Sequence, residues 1–314
     1  MTGYEALHEG AAWCELAGCG KIRVTGEDRA RLLHAMTTNH IQQLEPGQGC
    51  YAFFLSAQGR ILADANIFCR PDHFLLDTEP ETAAKLFEHI DRYIIADDVT
   101  LEDLTGSLTT VAVEGPRAPA ALEAMGGPAL AAEYANAEWD GRVVARVSST
   151  GQPGCFVFLP QQERDELVQQ LEAVGVVAAT ADEFRTVRIE NGHARYGEDI
   201  AERYIAQEAN QPRALHFSKG CYLGQEIVER VRSRAQIHRI LMPLIIDTDQ
   251  PPAPGTKLQA DGADRAEITS AAFSPRLGKV VALAYVRSEH AQPGSILHLG
   301  AARAEVAQPE VTAA

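Results

Sequence analysis

The sequence predicts an α+β protein in three parts: two regions that alternate strands with amphipathic helices, then a small all-β unit. Three observations carry this expectation. At 314 residues the chain is long for one hydrophobic core. Up to Glu190, apolar runs of strand length alternate with segments whose apolar residues recur at helical spacing. From Arg239 onward only short strand-like runs remain, divided by Pro, Gly and Asp.

The elements follow in order. "KIRVTG" reads as a strand ending in a turn, and "EDRARLLHAM" sets Leu32, Leu33 and Met36 at helical spacing behind an acidic first turn. "YAFFLSAQGRILADANIF" gives two apolar runs flanking Gln58-Gly59, a hairpin, with a third strand at "HFLLD". "PETAAKLFEHIDRYII" repeats Leu86, Phe87, Ile90, Tyr93 and Ile94 on one helical face. A second αβ region follows: strand "LTTVAVEG", helix "RAPAALEAM", strands "RVVARVS" and "CFVFL", helix "ERDELVQQLEAV". This order suggests α+β layers rather than a doubly wound parallel sheet. The all-β part comprises "ILMPLIID", "AEITSAAF", "KVVALAYV" and "SILHLG", with "TDQPPAPG" as a loop and "QPEVTAA" as a frayed tail.

Composition narrows the function classes. Net charge is −15, from 43 acidic and 28 basic residues, which argues against a broad electrostatic grip on nucleic acid or anionic membrane. No apolar run approaches the roughly 18 residues of a membrane helix, and "MTGYEALHEGAAW" has neither the basic nor the apolar region of a secretory signal. A cytoplasmic protein is expected. Six cysteines are spread without a Cys-x-x-Cys pair, which disfavours a zinc ribbon and suggests free thiols. Gly-x-Gly-x-x-Gly after a strand, Gly-Lys-Ser/Thr, His-Glu-x-x-His and Gly-x-Ser-x-Gly are all missing from the sequence.

Four stretches could carry chemistry. In "KGCYLGQEIVER", a turn at Gly220 into a helix would place Cys221 near unpaired amides and the Lys219 ammonium, which stabilise a thiolate; the alternative is a turn whose cysteine merely packs. Gly224 inside a helix would cost roughly 1 kcal/mol, so it more naturally admits a ligand or another backbone. Residues 219–239 hold five Lys/Arg, among them Arg230, Arg232 and Arg234, against two Glu; this is either an anion site or a solvated face. Asp64, alternating with Leu62, Asn66 and Phe68 on one strand face, must be exposed, paired or bound to a ligand. Glu190, before the Asn191-Gly192 turn, either binds a ligand or pairs with Arg188 or Arg195.

At "KGCYLGQEIVER" the chain resembles the signature Lys-Gly-Cys-Tyr/Phe-x-Gly-Gln-Glu of the folate-binding YgfZ family, relatives of the glycine cleavage T-protein (aminomethyltransferase). Lys219, Gly220, Cys221, Tyr222, Gly224, Gln225 and Glu226 carry the match. "VTGEDRARLLHAMTTNHIQQLEPGQG", "QGRILAD", "VEGPRAP", "RIENGHARYGEDI" and "ITSAAFSPRLGKVVALAYV" are similar to further blocks of these families, in order along the chain.

The resemblance implies a three-domain cloverleaf, with two α+β domains (1–21 with 105–238, and 22–104) and a C-terminal β-barrel (239–314) around a central channel for tetrahydrofolate or a one-carbon derivative. It implies that Asp64 faces the reactive nitrogens of folate and that Cys221 is the functional thiol. Glu190, Arg230 and Arg232 join Asp64 as candidate folate-binding residues, the two arginines on charge alone. The implied role is an accessory factor in assembly or repair of iron–sulfur enzymes, including tRNA-modifying ones, with such enzymes or cluster-assembly proteins as partners. The alternatives are a tetrahydrofolate-dependent aminomethyltransferase-like or demethylating enzyme, and a non-catalytic folate sensor or scaffold. A single cysteine cannot hold a cluster alone, since clusters use about four thiolates. Two departures from the T-protein pattern are visible: its paired aspartates appear as Ala63-Asp64, and "SSTGQPGCFVFL" lacks its tyrosine and pterin-holding glutamate.

Overall fold

The computed structural model describes residues 1–234 and 237–308; the expected tail lies, from 309, outside them. The chain opens with α1 (Gly3–Glu9), whose Thr2 and Glu5 form a reciprocal capping box. Strand β1 (Ala12–Glu15) follows, and then the chain leaves for a different sheet. That sheet is built from β2 (Gly20–Thr25), α2 (Arg29–Met36), β3 (Gly49–Leu55), β4 (Ile61–Cys69), β5 (Phe74–Thr78), α3 (Ala83–Asp91) and β6 (Thr100–Asp103). Its strands lie in the order β3-β4-β5-β2-β6, all antiparallel.

The chain then returns to β1 through β7 (Leu108–Glu114), α4 (Ala118–Ala124), β8 (Asn136–Trp139), β9 (Arg142–Ala145), β10 (Gly154–Pro160), α5 (Arg164–Ala173) and β11 (Val177–Ala178). Strand order is β11-β1-β7-β10-β9-β8, with β1 pairing β7 antiparallel and β11 parallel. Helix α6 (Ala181–Glu190) carries a second capping box, Thr180 with Glu183. Residues 191–224 contain one short 3-10 turn, Pro212–Ala214, before α7 (Gln225–Arg234).

The last unit is a closed six-stranded barrel: β12 (Arg239–Ile246), β13 (Lys257–Ala260), β14 (Ala263–Ser274), β15 (Lys279–Arg287), β16 (Ile296–Leu299) and β17 (Ala302–Val306). The order is β12-β15-β14-β13-β16-β17, and pairing of β12 with β17 closes it, removing the edges. The α+β class with an all-β end therefore stands. Strands β13 and β17 escaped sequence reading because "KLQA" and "ARAEV" are short and their few apolar residues alternate with polar ones.

Alternation on the strands explains the layering. On β3 and β4, Ala52, Phe54, Ala63, Ala65 and Ile67 pack with Leu33 and Met36 of α2 and Leu86 and Ile90 of α3. The opposite face, with Tyr51, Phe53 and Phe68, joins Ala112, Phe156 and Phe158 of the other sheet; the Phe68 and Phe158 rings meet at 5.5 Å. Val111, Val113, Val144 and Val157 point away from that seam onto α4 and α5. The two sheets thus face each other with their helices outside. Helix α6 ties them to the barrel: Ile189 packs on Ala272 and Val281. Nearby, Asp199 accepts hydrogen bonds from Arg188, Thr269 and Ser270. Among the described residues, no helix is long and apolar enough to cross a membrane.

Candidate functional site

Where the facing sheets part, they enclose a cavity of about 530 Å³, within the range of small-molecule sites. Its lining comes from both sheets, α6 and residues 193–198, with Arg213 from the long connection. Asp64 stands on its wall, 6% exposed. It is not on an edge, since β4 runs between β3 and β5. Tyr51 on the neighbouring strand donates its hydroxyl to Asp64 Oδ2 at 2.7 Å. Burial lifts the Asp64 carboxyl to about 6, while the Tyr51 hydrogen bond pulls the other way. The Arg213 guanidinium lies 4.8 Å from the centre of the Tyr51 ring.

A second carboxyl, Glu79, is lifted to about 8 by burial despite Arg195 at 2.9 Å. Two carboxyls in which burial favours the protonated form therefore share one wall, a pattern suited to accepting N–H groups or exchanging a proton with a ligand. The opposite wall is different. Buried Glu114 collects hydrogen bonds from Ser148, Ser149 and Thr150, folding that loop onto itself. The cavity face of β10 is Phe156, an apolar ring. This is the segment in which the sequence lacks the T-protein glutamate.

The other expected site residues lie elsewhere. Glu190 closes α6 outside the cavity lining. It pairs with neither arginine; Tyr4 and His8 of α1 donate to its two oxygens at 2.6 and 2.8 Å. Arg230 pairs with Glu226 along α7, and Arg232 lies 3.7 Å from Glu229 with its guanidinium 4.4 Å from the Phe217 ring. Two of the five local cations thus have a glutamate of their own helix as partner.

The "KGCYLGQE" segment forms an outward loop. Lys219 is buried and donates to the carbonyls of His34, Thr37 and Asn39 at 2.6, 2.5 and 2.8 Å. Burial draws its ammonium down to about 7, whereas three acceptors for three protons favour the charged form. It caps the negative end of α2 rather than attending the thiol. Tyr222 packs over it, its ring centre 4.7 Å from Nζ, and the Tyr222 amide donates to the Gln225 side chain. Helix α7 begins only at Gln225 because Gly224 takes a φ of +84°. A Cβ there would lie 2.7 Å from the Ser56 carbonyl oxygen, so the close approach is to another backbone. Gly220 and Cys221 are exposed, and neither lines the cavity.

Sequence reading missed Tyr51, Glu79, Arg195 and Arg213. Tyr51 had a usable signal, since the Gln58-Gly59 hairpin sets it diagonally across from Asp64 on the same face. Arg213 had none, because it arrives from a loop.

Comparison with known proteins agrees with this architecture. The model of the GCVT N-terminal domain matches residues 2–219, and that of the glycine cleavage T-protein C-terminal barrel domain matches residues 239–312. An aminomethyltransferase of Streptomyces coelicolor is 28% identical over 306 residues, 92% of this chain and 82% of that protein. A putative chloroplastic transferase of Arabidopsis thaliana is 25% identical over 303 residues, 94% and 70%. The crystal structure of the glycine cleavage system aminomethyltransferase T from Bartonella henselae superposes with a TM-score of 0.89 at 20% identity, covering 98% of this chain and 88% of that one. With both domains matched in order along almost its entire length, the chain belongs to the glycine cleavage T-protein family.

Proposed function

We propose that this protein binds tetrahydrofolate in the cavity between its sheets, with Asp64 facing the reactive nitrogens. On this reading it serves as a folate-dependent accessory factor for iron–sulfur enzymes, which it meets through Cys221. The observation that carries the folate part is the buried Asp64 carboxyl, oriented by Tyr51 on the wall of a 530 Å³ cavity. The residues fit such a group. Tyr51, Phe156 and Phe184 offer apolar surface for a ring system, and Asp64 and Glu79 offer acceptors for its N–H edge. Bound there, tetrahydrofolate would supply a nitrogen that carries a one-carbon unit. Asp64 would accept a hydrogen bond from that nitrogen as a carboxylate, or hold a proton beside it below about pH 6.

The accessory role is supported by the likeness of the loop to the YgfZ signature and by its construction. Lys219 and Gly224 fix the backbone from beneath and leave Cys221 free to meet a protein partner. A one-carbon transferase acting on a small substrate is the second reading, favoured by the placement of Asp64 and the names of the relatives.

Calorimetric titration of tetrahydrofolate into wild type and Asp64→Asn tests the folate part. Binding by wild type that weakens at least tenfold in the variant is expected, and equal affinity would overturn it. Activity of a [4Fe-4S] enzyme in cells lacking the protein, complemented with wild type or Cys221→Ser, separates the two readings. Rescue by wild type alone supports the accessory role; an iron–sulfur enzyme whose activity never depends on the protein favours transfer chemistry in the cavity.

A further inference from the structure

The four guanidinium groups on the cavity wall are not equivalent. Arg185 meets Glu198 at 2.9 Å, Arg188 meets Glu198 and Asp199 at 3.0 and 2.5 Å, and Arg195 meets Glu79 and Glu81 at 2.9 and 3.0 Å. Arg213 has no carboxylate at hydrogen-bond distance among the described residues. Its Nη1 is 3.6 Å from the partly exposed Glu133, and its Nη2 donates to Nε2 of His193 at 3.0 Å. Burial, together with Arg213 and Arg188, holds that imidazole neutral, so it supplies no countercharge.

The position is nevertheless fixed. Asn39 donates to the Arg213 carbonyl at 2.9 Å and Thr38 to that of Ala214 at 2.5 Å, which holds the guanidinium above Tyr51. A half-buried cation whose nearest carboxylate stands 3.6 Å away, beyond hydrogen-bond distance, can still take an anionic ligand, and the guanidinium fork matches a carboxylate. The place of this cation narrows the ligand further. Tyr51, beneath the guanidinium, also donates to Asp64, so a cation and a carboxyl flank one phenol. In folate the p-aminobenzoyl group separates the reactive nitrogens from the glutamate carboxylates, which is too long a spacer for this pair. An amine and a carboxylate one carbon apart suit it.

We propose that Arg213 binds the carboxylate of a second cavity ligand, a small amino acid whose amine approaches Asp64. The assignment rests on the reading that folate presents its reactive nitrogens to Asp64, and it names the class of molecule that would meet them there.

Calorimetry on the full chain, with and without tetrahydrofolate, would use glycine and N-methylglycine as probes and methylamine as the probe lacking a carboxylate. Wild type is expected to bind the amino acids at least about tenfold more tightly than methylamine. Arg213→Met should lower amino-acid affinity about 10- to 100-fold, the effect of losing a charge-assisted pair, and Arg213→Lys should fall between. The loss of amino-acid affinity should exceed any loss of tetrahydrofolate affinity at least about tenfold in Arg213→Met, with thermal unfolding confirming that the variants fold. Equal binding of methylamine and glycine, or amino-acid binding unchanged by Arg213→Met, would overturn the proposal. So would a matching loss of tetrahydrofolate affinity in Arg213→Met, since the guanidinium would then serve folate itself. Amino-acid binding that depends on Arg213 in a protein that never binds tetrahydrofolate would sustain the subsite and sink the folate reading instead.

Discussion

Replacing Asp64 with asparagine should make the protein more stable at pH 8 while weakening ligand binding. Burial raises this carboxyl from 3.8 to about 6, so the folded state favours the protonated form. Its contribution is fully present below about pH 4 and is lost as pH rises through about 6. Above that range the cost is about 3 kcal/mol, at about 1.4 kcal/mol per tenfold in proton affinity. Asparagine stays neutral and can still accept the Tyr51 hydroxyl, but exchanging a carboxylate for an amide oxygen gives back about 1 kcal/mol. The net gain is therefore about 2 kcal/mol at pH 8, shrinking to nearly nothing by about pH 4.5. At roughly 2–4 °C per kcal/mol, the melting temperature should rise by about 4–8 °C at pH 8. Thermal unfolding of both proteins at pH 8, 6 and 4.5 measures this directly. A variant less stable than wild type at pH 8, or a difference independent of pH, would show that Asp64 is not a carboxylate held against its burial cost.

Other consequences follow from the geometry. Lys219→Met leaves three carbonyls at the end of α2 without their donor and should cost about 3 kcal/mol in chemical denaturation; a loss below about 0.5 kcal/mol would contradict its capping role. Gly224→Ala forces a side chain onto a backbone with φ of +84° and against the Ser56 carbonyl, and should cost about 2 kcal/mol, again by denaturation. Arg188→Met strips the partner from buried Asp199 and should cost about 3–5 kcal/mol, with the barrel loosening first in hydrogen exchange near Thr269 and Ser270. Thiol titration of the native protein should find Cys221 reacting first. Cys14, Cys50 and Cys155 are buried, with thiols lifted to about 11, 12 and 11, and should react only on unfolding. A fast phase left unchanged in amplitude by Cys221→Ser would refute the exposure of this thiol.

Much of the fold was legible because its signals are local. The Gln58-Gly59 turn between two apolar runs is a hairpin, with Gly59 at a φ of +72°. The switch of texture at Arg239 is the start of the barrel. Asp64 stood out as a carboxylate on a strand face otherwise fit for burial, and it does line the cavity. Helix α1 and most of α6 went unread, since "GYEALHE" is short and "ADEFRTV" is rich in charge; each is anchored by a capping box at its start.

What the sequence by itself determined is what neighbouring residues decide together: strand alternation, helical spacing, turns at glycine, and the succession of two αβ regions and an all-β end. Only the tertiary structure decided which polar groups meet. Glu190 was equally open to Arg188, Arg195 or a ligand, and it is held by Tyr4 and His8 because α1 packs beside α6. Lys219 turns from the thiol toward α2 because three carbonyls need donors there. Arg213 reaches the tyrosine that holds Asp64 from a distant loop, with its carbonyl pinned by Asn39. Charge and hydrogen-bond capacity are written residue by residue, but their partners depend on which sheet faces pack together, and that packing is a property of the whole chain.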